Sequence, residues 1–201
     1  MNTKDQIVQT ALKLFLSRGF KGTSMNDIAK QVGITKPAIY HYFDNKDKLI
    51  EAIFDHFSQR MAKWSAENIS QCNSNKEKIH KLFSSIATFM NVEKVLLDEE
   101  IGDLPFSYDM FILLMSRMSD AYKNRISQDF LETQKRFTDI FSAMQSAHEI
   151  RDDIDAATLS LMMHSILEGL SFLGEITDRT KVVENSEKIY HAFWKLLHKA
   201  T

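Results

Sequence analysis

Basic and polar aromatic side chains are concentrated in a short stretch near residue 40. Lys36 is followed by three consecutive polar aromatic residues, Tyr40, His41 and Tyr42, and then by Lys46. Ammonium and hydroxyl groups bind phosphate oxygens, and in a groove of DNA they also reach base edges. Three consecutive helical positions fan over about 200° of the helix, so they cannot all be buried. At least one of them therefore faces outward, and Lys36 nearby could bind the phosphate groups of a nucleic acid.

The charge distribution agrees with this prediction. The chain of 201 residues has a net charge of −2, but residues 1–50 carry eight basic and four acidic side chains, a net +4. The remaining residues carry a net −6. A basic end on an acidic body favours binding of that end to a polyanion, although chance clustering of charge is an alternative on this observation alone.

The stretch lies in a predicted helix-turn-helix. Apolar residues at helical spacing predict a first helix over about 3–18, ended by Gly19. Ser24 and Asp27 have the spacing of a capping box before a second short helix, which Gly33 ends. Thr35 caps a third helix over about 36–43, with Pro37 in its first turn. Two short helices joined by a tight turn place the second one where it can enter a major groove.

Residues 1–55 resemble the DNA-binding domain of the TetR family of transcriptional repressors. The resemblance rests on Arg-Gly-Phe at the end of the first helix and on four later motifs, Thr23-Ser24-x-x-Asp27-Ile-Ala, Gly33-Ile34-Thr35, Ile39-Tyr40-His41-Tyr42-Phe43 and Lys46-Asp-Lys-Leu49. It implies an all-α protein, which the low glycine and proline content also favours. A three-helix DNA-binding domain over residues 1–47 would be joined by a shared fourth helix to a larger ligand-binding and dimerisation domain over residues 48–201.

The resemblance also implies a set of DNA-binding residues. Tyr40, His41 and Lys46 would contact phosphate, and Thr35, Lys36 and Ala38 would face the groove. The full predicted set is Thr23, Ser24, Thr35, Lys36, Pro37, Ala38, Tyr40, His41, Tyr42 and Lys46. For Thr23 and Ser24 a capping role is expected in any case, and a phosphate contact is an open alternative. Phe43 is expected only to support the domain from its core.

The rest of the chain predicts further helices. The fourth helix is predicted over about residues 45–70. Apolar patterns predict further helices over about 76–91, 107–119, 122–148, 154–173 and 182–199, and residues 98–105 are predicted to form a loop. The helix over 154–173 is apolar on nearly every side, so both of its faces should be covered. Beyond its length and helical character, this part of the chain resembles the TetR family only in the run Arg151-Asp-Asp-Ile-Asp155 before that helix.

Methionine and aromatic residues are frequent in the predicted body. Most are expected to be core residues, but a pocket lined by them would suit a bulky apolar effector. The predicted pocket residues are Met61, Trp64, Phe89, Phe106, Met110, Phe111, Met115, Met118, Phe137, Phe141, Met144 and His164. His164 is also consistent with a hydrogen-bonded core histidine.

A helix-turn-helix of this kind acts as a dimer on a palindromic DNA operator. The last two helices are expected to form the homodimer, as a four-helix interface. The predicted interface residues are Leu161, Ile166, Leu170, Ile189, Phe193 and Leu196. An apolar effector in the body would tilt the fourth helix and release the operator.

Several other functions find little support. The sequence lacks the common catalytic and phosphate-binding motifs, its histidines are dispersed, and Cys72 is its single cysteine, so we expect no catalytic site, metal or cofactor. We also expect no signal peptide or membrane span and a cytoplasmic location. An all-helical enzyme or scaffold without DNA binding, and an activator of the same fold, remain alternatives.

Overall fold

The computed structural model describes residues 2–90, 112–113, 115–117 and 120–198, apart from the side chain of Phe89. Within these ranges the regular elements are helices. They are α1 (Thr3–Arg18), α2 (Met25–Val32), α3 (Lys36–Tyr42), α4 (Lys46–Asn68), α5 (Asn75–Ser84), α6 (Ile86–Met90), α7 (Asp120–Ser146), α8 (Ala156–Ile176) and α9 (Arg179–Leu196). The all-α prediction is confirmed. The predicted loop at 98–105 lies outside the described residues, as does most of the predicted helix at 107–119.

The predicted single helix over 76–91 is wrong, because the chain turns at Ser85. This residue is buried, with φ −90° and ψ 4°, and its N–H still donates to the carbonyl oxygen of Lys81 at 3.0 Å. The N–H of Thr88 then donates to the carbonyl oxygen of Ser85 at 2.8 Å, a tighter three-residue step. Apolar periodicity continues through the turn, so the pattern did not reveal it.

The described residues form two units. The first contains residues 2–65, and the second contains residues 66–90 with the described part of 112–198. The helix α4 begins in the first unit and ends in the second, as expected of a shared helix. The division falls later than the predicted boundary at residue 47, since the first turns of α4 bury Leu49, Ile50, Ile53 and Phe54.

The first unit is organised by the apolar face of α1. Positions three and four residues apart on this helix are buried, among them Ile7, Ala11, Leu14 and Phe15. The helices α1 and α2 pack together, as do α2 and α3. The single buried residue of α3 is Ile39, so the rest of that short helix is left for other contacts.

The second unit packs α5, α6, α8 and α9 with α7 around one core. Its buried members include Ile79, Phe83, Phe141, Met163 and Phe193. The connection between α7 and α8 is tied to the end of α9, since the N–H of Arg151 donates to the carbonyl oxygen of Leu197 at 2.7 Å. The amide of Gln145 holds the same connection from inside, donating to the carbonyl oxygens of Arg151 and Ile154.

One side of α8 is exposed, contrary to the expectation that both faces would be covered. Its exposed apolar residues are Leu161, Met162, Phe172, Leu173 and Ile176. By length and composition α8 is the one helix among the described residues that could cross a membrane. The core helix of a globular protein meets the same criterion, and the opposite side of α8 packs in the core of the second unit.

Candidate DNA-binding interface

Local interactions fix both ends of α2. The hydroxyl of Ser24 accepts from the N–H of Asp27 at 3.2 Å, and the Asp27 carboxylate accepts from the N–H of Ser24 at 2.9 Å. The predicted capping box is confirmed. Gly33 ends α2 in the left-handed region with φ 82°, which favours glycine. The hydrogen bonds to Ser24 hold the pKa of Asp27 below its ordinary value.

The start of α3 is fixed in the same way. The side chain of Thr35 accepts from the N–H of Ala38 at 3.3 Å, and Pro37 lies in the first turn, where a backbone N–H is not needed. Ile39 is fully buried and anchors the helix from below. The predicted cap and helix are confirmed, except that α3 ends at Tyr42 instead of Phe43.

The outer surface of α3 carries the predicted polar aromatic residues. Tyr40 and Tyr42 are 41% and 40% exposed, and His41 between them is exposed as well. Phe43 is buried, as expected of a supporting residue. All three polar aromatic side chains therefore face solvent, whereas helix geometry alone required this of at least one of them. The rings of His41 and Tyr42 meet edge to face with centroids 5.7 Å apart.

The beginning of α3 is equally open. Thr35, Lys36 and Pro37 are exposed and Ala38 is half-buried. Exposed hydroxyl, ammonium and imidazole groups on one short helix can donate hydrogen bonds to phosphate oxygens and to base edges. Their placement is compatible with the predicted DNA contacts, which stay predictions.

The structure corrects the predicted set of DNA-binding residues at Thr23. Its side chain is 1% exposed, and its hydroxyl lies 3.1 Å from the carbonyl oxygen of Gly19 and 3.3 Å from that of Leu14. The hydroxyl donates within the domain and cannot reach phosphate. Ser24 caps α2 and remains exposed, so its phosphate contact stays a prediction.

Lys46 is placed differently from the other predicted residues. It is half-buried, and its ammonium donates a hydrogen bond to the carbonyl oxygen of Phe20. The predicted phosphate contact would compete with this internal partner. Sequence patterns could not reveal the contact, because 26 residues separate the two partners.

Comparison with known proteins agrees with this geometry. Residues 7–53 match the family model of bacterial regulatory proteins of the tetR family. The chain is also 34% identical to the biofilm operon icaADBC HTH-type negative transcriptional regulator IcaR of Staphylococcus epidermidis, over 92% of this chain and 90% of that protein. The chain belongs to the TetR family. It is therefore a transcriptional regulator with a DNA-binding helix-turn-helix domain.

Solved structures of other transcriptional regulators share the fold. A TetR transcription regulator from Haloarcula marismortui is 14% identical and superimposes with a TM-score of 0.77 over 97% of each chain. FadR from Bacillus subtilis, solved in complex with stearoyl-CoA, is 18% identical with a TM-score of 0.74, over 96% of this chain and 98% of that one. At these identities the likeness is one of fold.

The predicted effector residues of this TetR-family chain are only partly described. Phe106, Met110, Phe111 and Met118 lie outside the described residues, and for Phe89 only the backbone is described. Met61 and Trp64 are half-buried on α4 in the first unit. In the second unit Met115, Phe141 and Met144 are fully buried and Phe137 is half-buried. Their binding of an effector stays a prediction.

His164 belongs to a group of hydrogen-bonded polar side chains between α7 and α8, which sequence patterns did not indicate. Its Nδ1 lies 3.1 Å from Oε1 of Gln134, and its Nε2 lies 3.4 Å from a carboxylate oxygen of Glu168. The hydroxyl of Ser160 lies 3.0 Å from the carbonyl oxygen of Gln134. The rings of Phe130 and Phe137 pack on the imidazole, with centroids at 4.7 and 5.5 Å. His164 is thus buried and hydrogen-bonded, and its place in an effector pocket stays a prediction.

The predicted dimer residues separate into two groups. Leu161 and Leu196 are 49% and 60% exposed, and Ile166 and Ile189 are half-buried. The structure corrects the predicted dimer interface at Leu170 and Phe193, because both side chains are buried in the core of their own subunit. They cannot be contact residues of a dimer without repacking that core. The exposed residues of α8 are the better candidates, and helical periodicity alone could not separate the two sides of an all-apolar helix.

Proposed function

We propose that the chain is a ligand-responsive transcriptional repressor, which binds a palindromic DNA operator as a homodimer and is released by a small apolar effector. The observation that carries the proposal is the exposed surface of α3, on which Lys36, Tyr40 and His41 remain open to solvent while Ile39 anchors the helix. The excess of basic residues in residues 1–50 adds electrostatic attraction to DNA.

Repression is supported by a relative. The IcaR protein of Staphylococcus epidermidis is named as a negative transcriptional regulator, and the similarity spans nearly the full length of both chains. The dimer is supported by the exposed apolar side of α8, since large exposed apolar patches mark association surfaces. Two copies related by a two-fold axis would place two α3 helices on successive major grooves.

An apolar effector is supported by two observations. Methionine and aromatic side chains are abundant in the second unit, and methionine adapts to irregular ligands. The FadR structure, which shares this fold, holds stearoyl-CoA, a ligand with a long acyl chain. No metal or cofactor is part of the proposal, and among the described residues no cluster of His, Cys, Asp and Glu could hold a metal ion. We place the protein in the cytoplasm, with no membrane role.

Selection from a library of random duplexes by the full-length protein tests DNA binding. We expect enrichment of an inverted repeat with half-site centres about 34–36 Å apart, or a multiple of that spacing. A reporter gene placed behind the enriched sequence should be expressed less when the protein is present, whereas an activator would raise expression. Failure to enrich any duplex would favour the alternative of a helical enzyme or scaffold.

The assignment of α3 can be tested within the same assay. Lys36→Ala and His41→Ala should each weaken binding to the enriched duplex. Lys181→Ala changes an exposed lysine on α9 in the other unit and serves as the control. Equal affinities for all three variants would contradict the proposed role of α3.

A further inference from the structure

Arg151 closes the end of α9 with both its backbone and its side chain. Its N–H donates to the carbonyl oxygen of Leu197 at 2.7 Å, and its Nη1 donates to the carbonyl oxygen of Leu196 at 3.2 Å. The last carbonyl groups of a helix have no N–H partner within the helix, and a cation is favourable at that end. Arg151 therefore acts as a cap that reaches α9 from a segment 45 residues earlier in the chain.

The guanidinium of Arg151 is held in place by a second set of contacts. Its Nε and Nη2 donate to the two carboxylate oxygens of Asp153 at 2.7 and 2.6 Å, a bidentate geometry that fixes the plane of the guanidinium. The side chain of Arg151 is 26% exposed, so it is partly shielded from water. From the inner side, Gln145 donates to the carbonyl oxygens of Arg151 and Ile154. The run Arg151-Asp-Asp-Ile-Asp155, which has no part in the proposed DNA interface, builds this contact.

The same run also fixes the start of α8. Its last residue, Asp155, caps this helix, and the carboxylate accepts from the N–H of Thr158 at 2.9 Å. One short run therefore caps the end of α9 and the start of α8. At the other end of this helix pair only residues 177 and 178 separate α8 from α9. Arg151 thus closes the open end of an antiparallel pair whose other end is closed by the chain itself.

Both helices of the pair carry exposed apolar side chains. Leu161 and Phe172 of α8 are 49% and 56% exposed, and Leu196 of α9, whose carbonyl oxygen accepts from Arg151, is 60% exposed. In a two-fold interface each subunit presents the same surface, so a change in the relative position of the two helices occurs twice. The match between two such surfaces depends on how α8 and α9 are held relative to each other.

We propose that Arg151 is a positioning residue of the homodimer. It fixes the end of α9 relative to the start of α8, and thereby holds their exposed residues in the arrangement that a second copy requires, without itself contacting that copy. The inference rests on the proposed function, in which these two helices form the dimer. Without the guanidinium the end of α9 spends part of the time away from the α7–α8 connection. Only the closed state pairs, so the apparent dimer affinity falls with the fraction of closed subunits.

The test uses the full-length protein and four variants. Arg151→Met keeps an unbranched side chain and removes the guanidinium, whereas Arg151→Lys keeps a cation that can reach Leu196 but loses the bidentate contact. Asp153→Asn keeps the size of its side chain and weakens that contact from the other side. Arg136→Met is the matched control, because it removes an exposed arginine of α7 whose Nη2 donates to Thr133 at 3.1 Å within the same helix.

The dimer dissociation constant is measured by fluorescence-detected sedimentation of amino-terminally labelled protein over a dilution series. We expect roughly threefold fewer closed subunits in Arg151→Met, about the effect of one lost hydrogen bond. Because both subunits must be closed, the dissociation constant should rise roughly tenfold. Arg151→Lys and Asp153→Asn should show smaller increases, and Arg136→Met should stay within about twofold of wild type. Equal constants for Arg151→Met and Arg136→Met would overturn the inference.

DNA binding separates a loosened dimer from a subunit that is merely less stable. Below its dimer dissociation constant, Arg151→Met should bind the duplex enriched by the wild-type protein more weakly than wild type does. Far above that concentration it should bind equally well, since the dimer, once formed, presents the same DNA-binding surface. A loss of affinity that persists at high protein concentration would place the defect outside the dimer and overturn the inference.

Hydrogen exchange locates the loosened contact. At a concentration where the variants are dimeric, the amide of residue 151, which donates to the carbonyl oxygen of Leu197, should be less protected in Arg151→Met than in Arg136→Met. The amides of residues 197 and 198 should lose protection as well. Equal protection in the two variants overturns the inference. A wild-type protein that is monomeric throughout the dilution series would refute the proposed homodimer and the inference together, whereas a dimeric wild type with an unaffected Arg151→Met variant refutes the inference alone.

Discussion

The side chain of Met90 occupies the space in which a Cβ atom on Gly174 would lie. A Cβ atom built at Gly174 would come within 2.0 Å of Cε and 2.8 Å of Sδ of Met90. The two residues belong to α6 and α8, and Met90 is buried in the core of the second unit. Gly174 lies in the last turn of α8, and the close approach of the methionine leaves no room for a Cβ atom there.

Gly174→Ala should therefore destabilise the protein despite the better helix propensity of alanine. The atoms in the way are the flexible end of the buried Met90 side chain, so overpacking should cost near the lower end of the usual range of about 1–3 kcal/mol. The gain in propensity in the last turn is at most about 1 kcal/mol, so we expect a small net loss in the free energy of unfolding. Gly169→Ala on the same helix is the control, because among the described residues no atom beyond its own stretch of helix lies within 4 Å of its Cβ position. It should be neutral or stabilising in urea unfolding. Stabilisation by both substitutions would contradict the importance of the Met90 contact.

Thr23→Val tests whether the hydroxyl of Thr23 serves the fold. Valine has the same shape but cannot donate to the carbonyl oxygens of Gly19 and Leu14, so we expect a loss of about 1–2 kcal/mol in the free energy of unfolding. Thr23→Ser keeps the hydroxyl and should recover part of that loss. The salt dependence of DNA binding should be unchanged in both variants. A lower salt slope with unchanged thermal stability would restore the phosphate contact that the sequence had predicted.

Thr23 and Lys46 also indicate which features sequence could predict. The capping of α2 by Ser24, the cap of α3 by Thr35 and the stop at Gly33 depend on neighbours within four residues, and all three predictions are confirmed. The burial of Thr23 and the contact of Lys46 with Phe20 depend on how distant segments pack. Motif spacing carries no information about such packing.

The two apolar helices of the second unit illustrate the same limit. Helical periodicity identified α8 and α9, but α8 is apolar on nearly every side. Nothing in its pattern therefore separates Leu170, which is buried, from Phe172, which is exposed. Tertiary packing decides which side covers the core and which side remains for a partner.

The exposed side of α8 should mediate the dimer. Phe172 and Ile176 are 56% and 62% exposed, so Phe172→Glu or Ile176→Glu should leave the subunit folded and shift it to the monomer in sedimentation measurements. Both variants should lose affinity for the enriched duplex. Lys181→Glu, an exposed change on α9, should remain dimeric. Phe193→Asp should instead unfold the second unit, because it buries a charge in the core. A dimeric Ile176→Glu variant that binds DNA normally would rule out this surface.

The capping box predicts a specific pH dependence. Hydrogen bonds from the hydroxyl and the N–H of Ser24 favour the carboxylate form of Asp27 and lower its pKa from the ordinary value of 3.8. A depressed carboxyl pKa stabilises the fold above the ordinary value, and this contribution is lost as the pH falls through the lower, folded pKa. In Ser24→Ala the pKa of Asp27 should rise toward 3.8, as measured by NMR titration. An Asp27 pKa that is the same in both proteins would contradict the role of the capping box.

The proposed release mechanism requires effector and operator to weaken each other's binding. Long-chain acyl-CoA is a suitable probe, because stearoyl-CoA is bound by FadR, which shares the fold. Trp64 lies on α4, the helix that begins in the DNA-binding unit and ends in the second one, so its emission should report changes in α4. Trp194 lies on α9, with the ammonium of Lys76 4.8 Å from its ring centroid, and Trp194→Phe removes its contribution to the signal.

Thermodynamic linkage makes this expectation quantitative. If stearoyl-CoA weakens the binding of the enriched duplex about 100-fold, the duplex must weaken the binding of stearoyl-CoA by the same factor, a coupling free energy of about 2.7 kcal/mol. The measurement is a titration of Trp194→Phe with stearoyl-CoA, with and without the duplex, followed by Trp64 emission. A ligand that changes the emission but binds equally well in both titrations cannot drive release, since it does not distinguish the two states of the protein. That result would refute release through α4. It would leave the DNA-binding assignment intact, because DNA binding is tested separately by the selection from random duplexes.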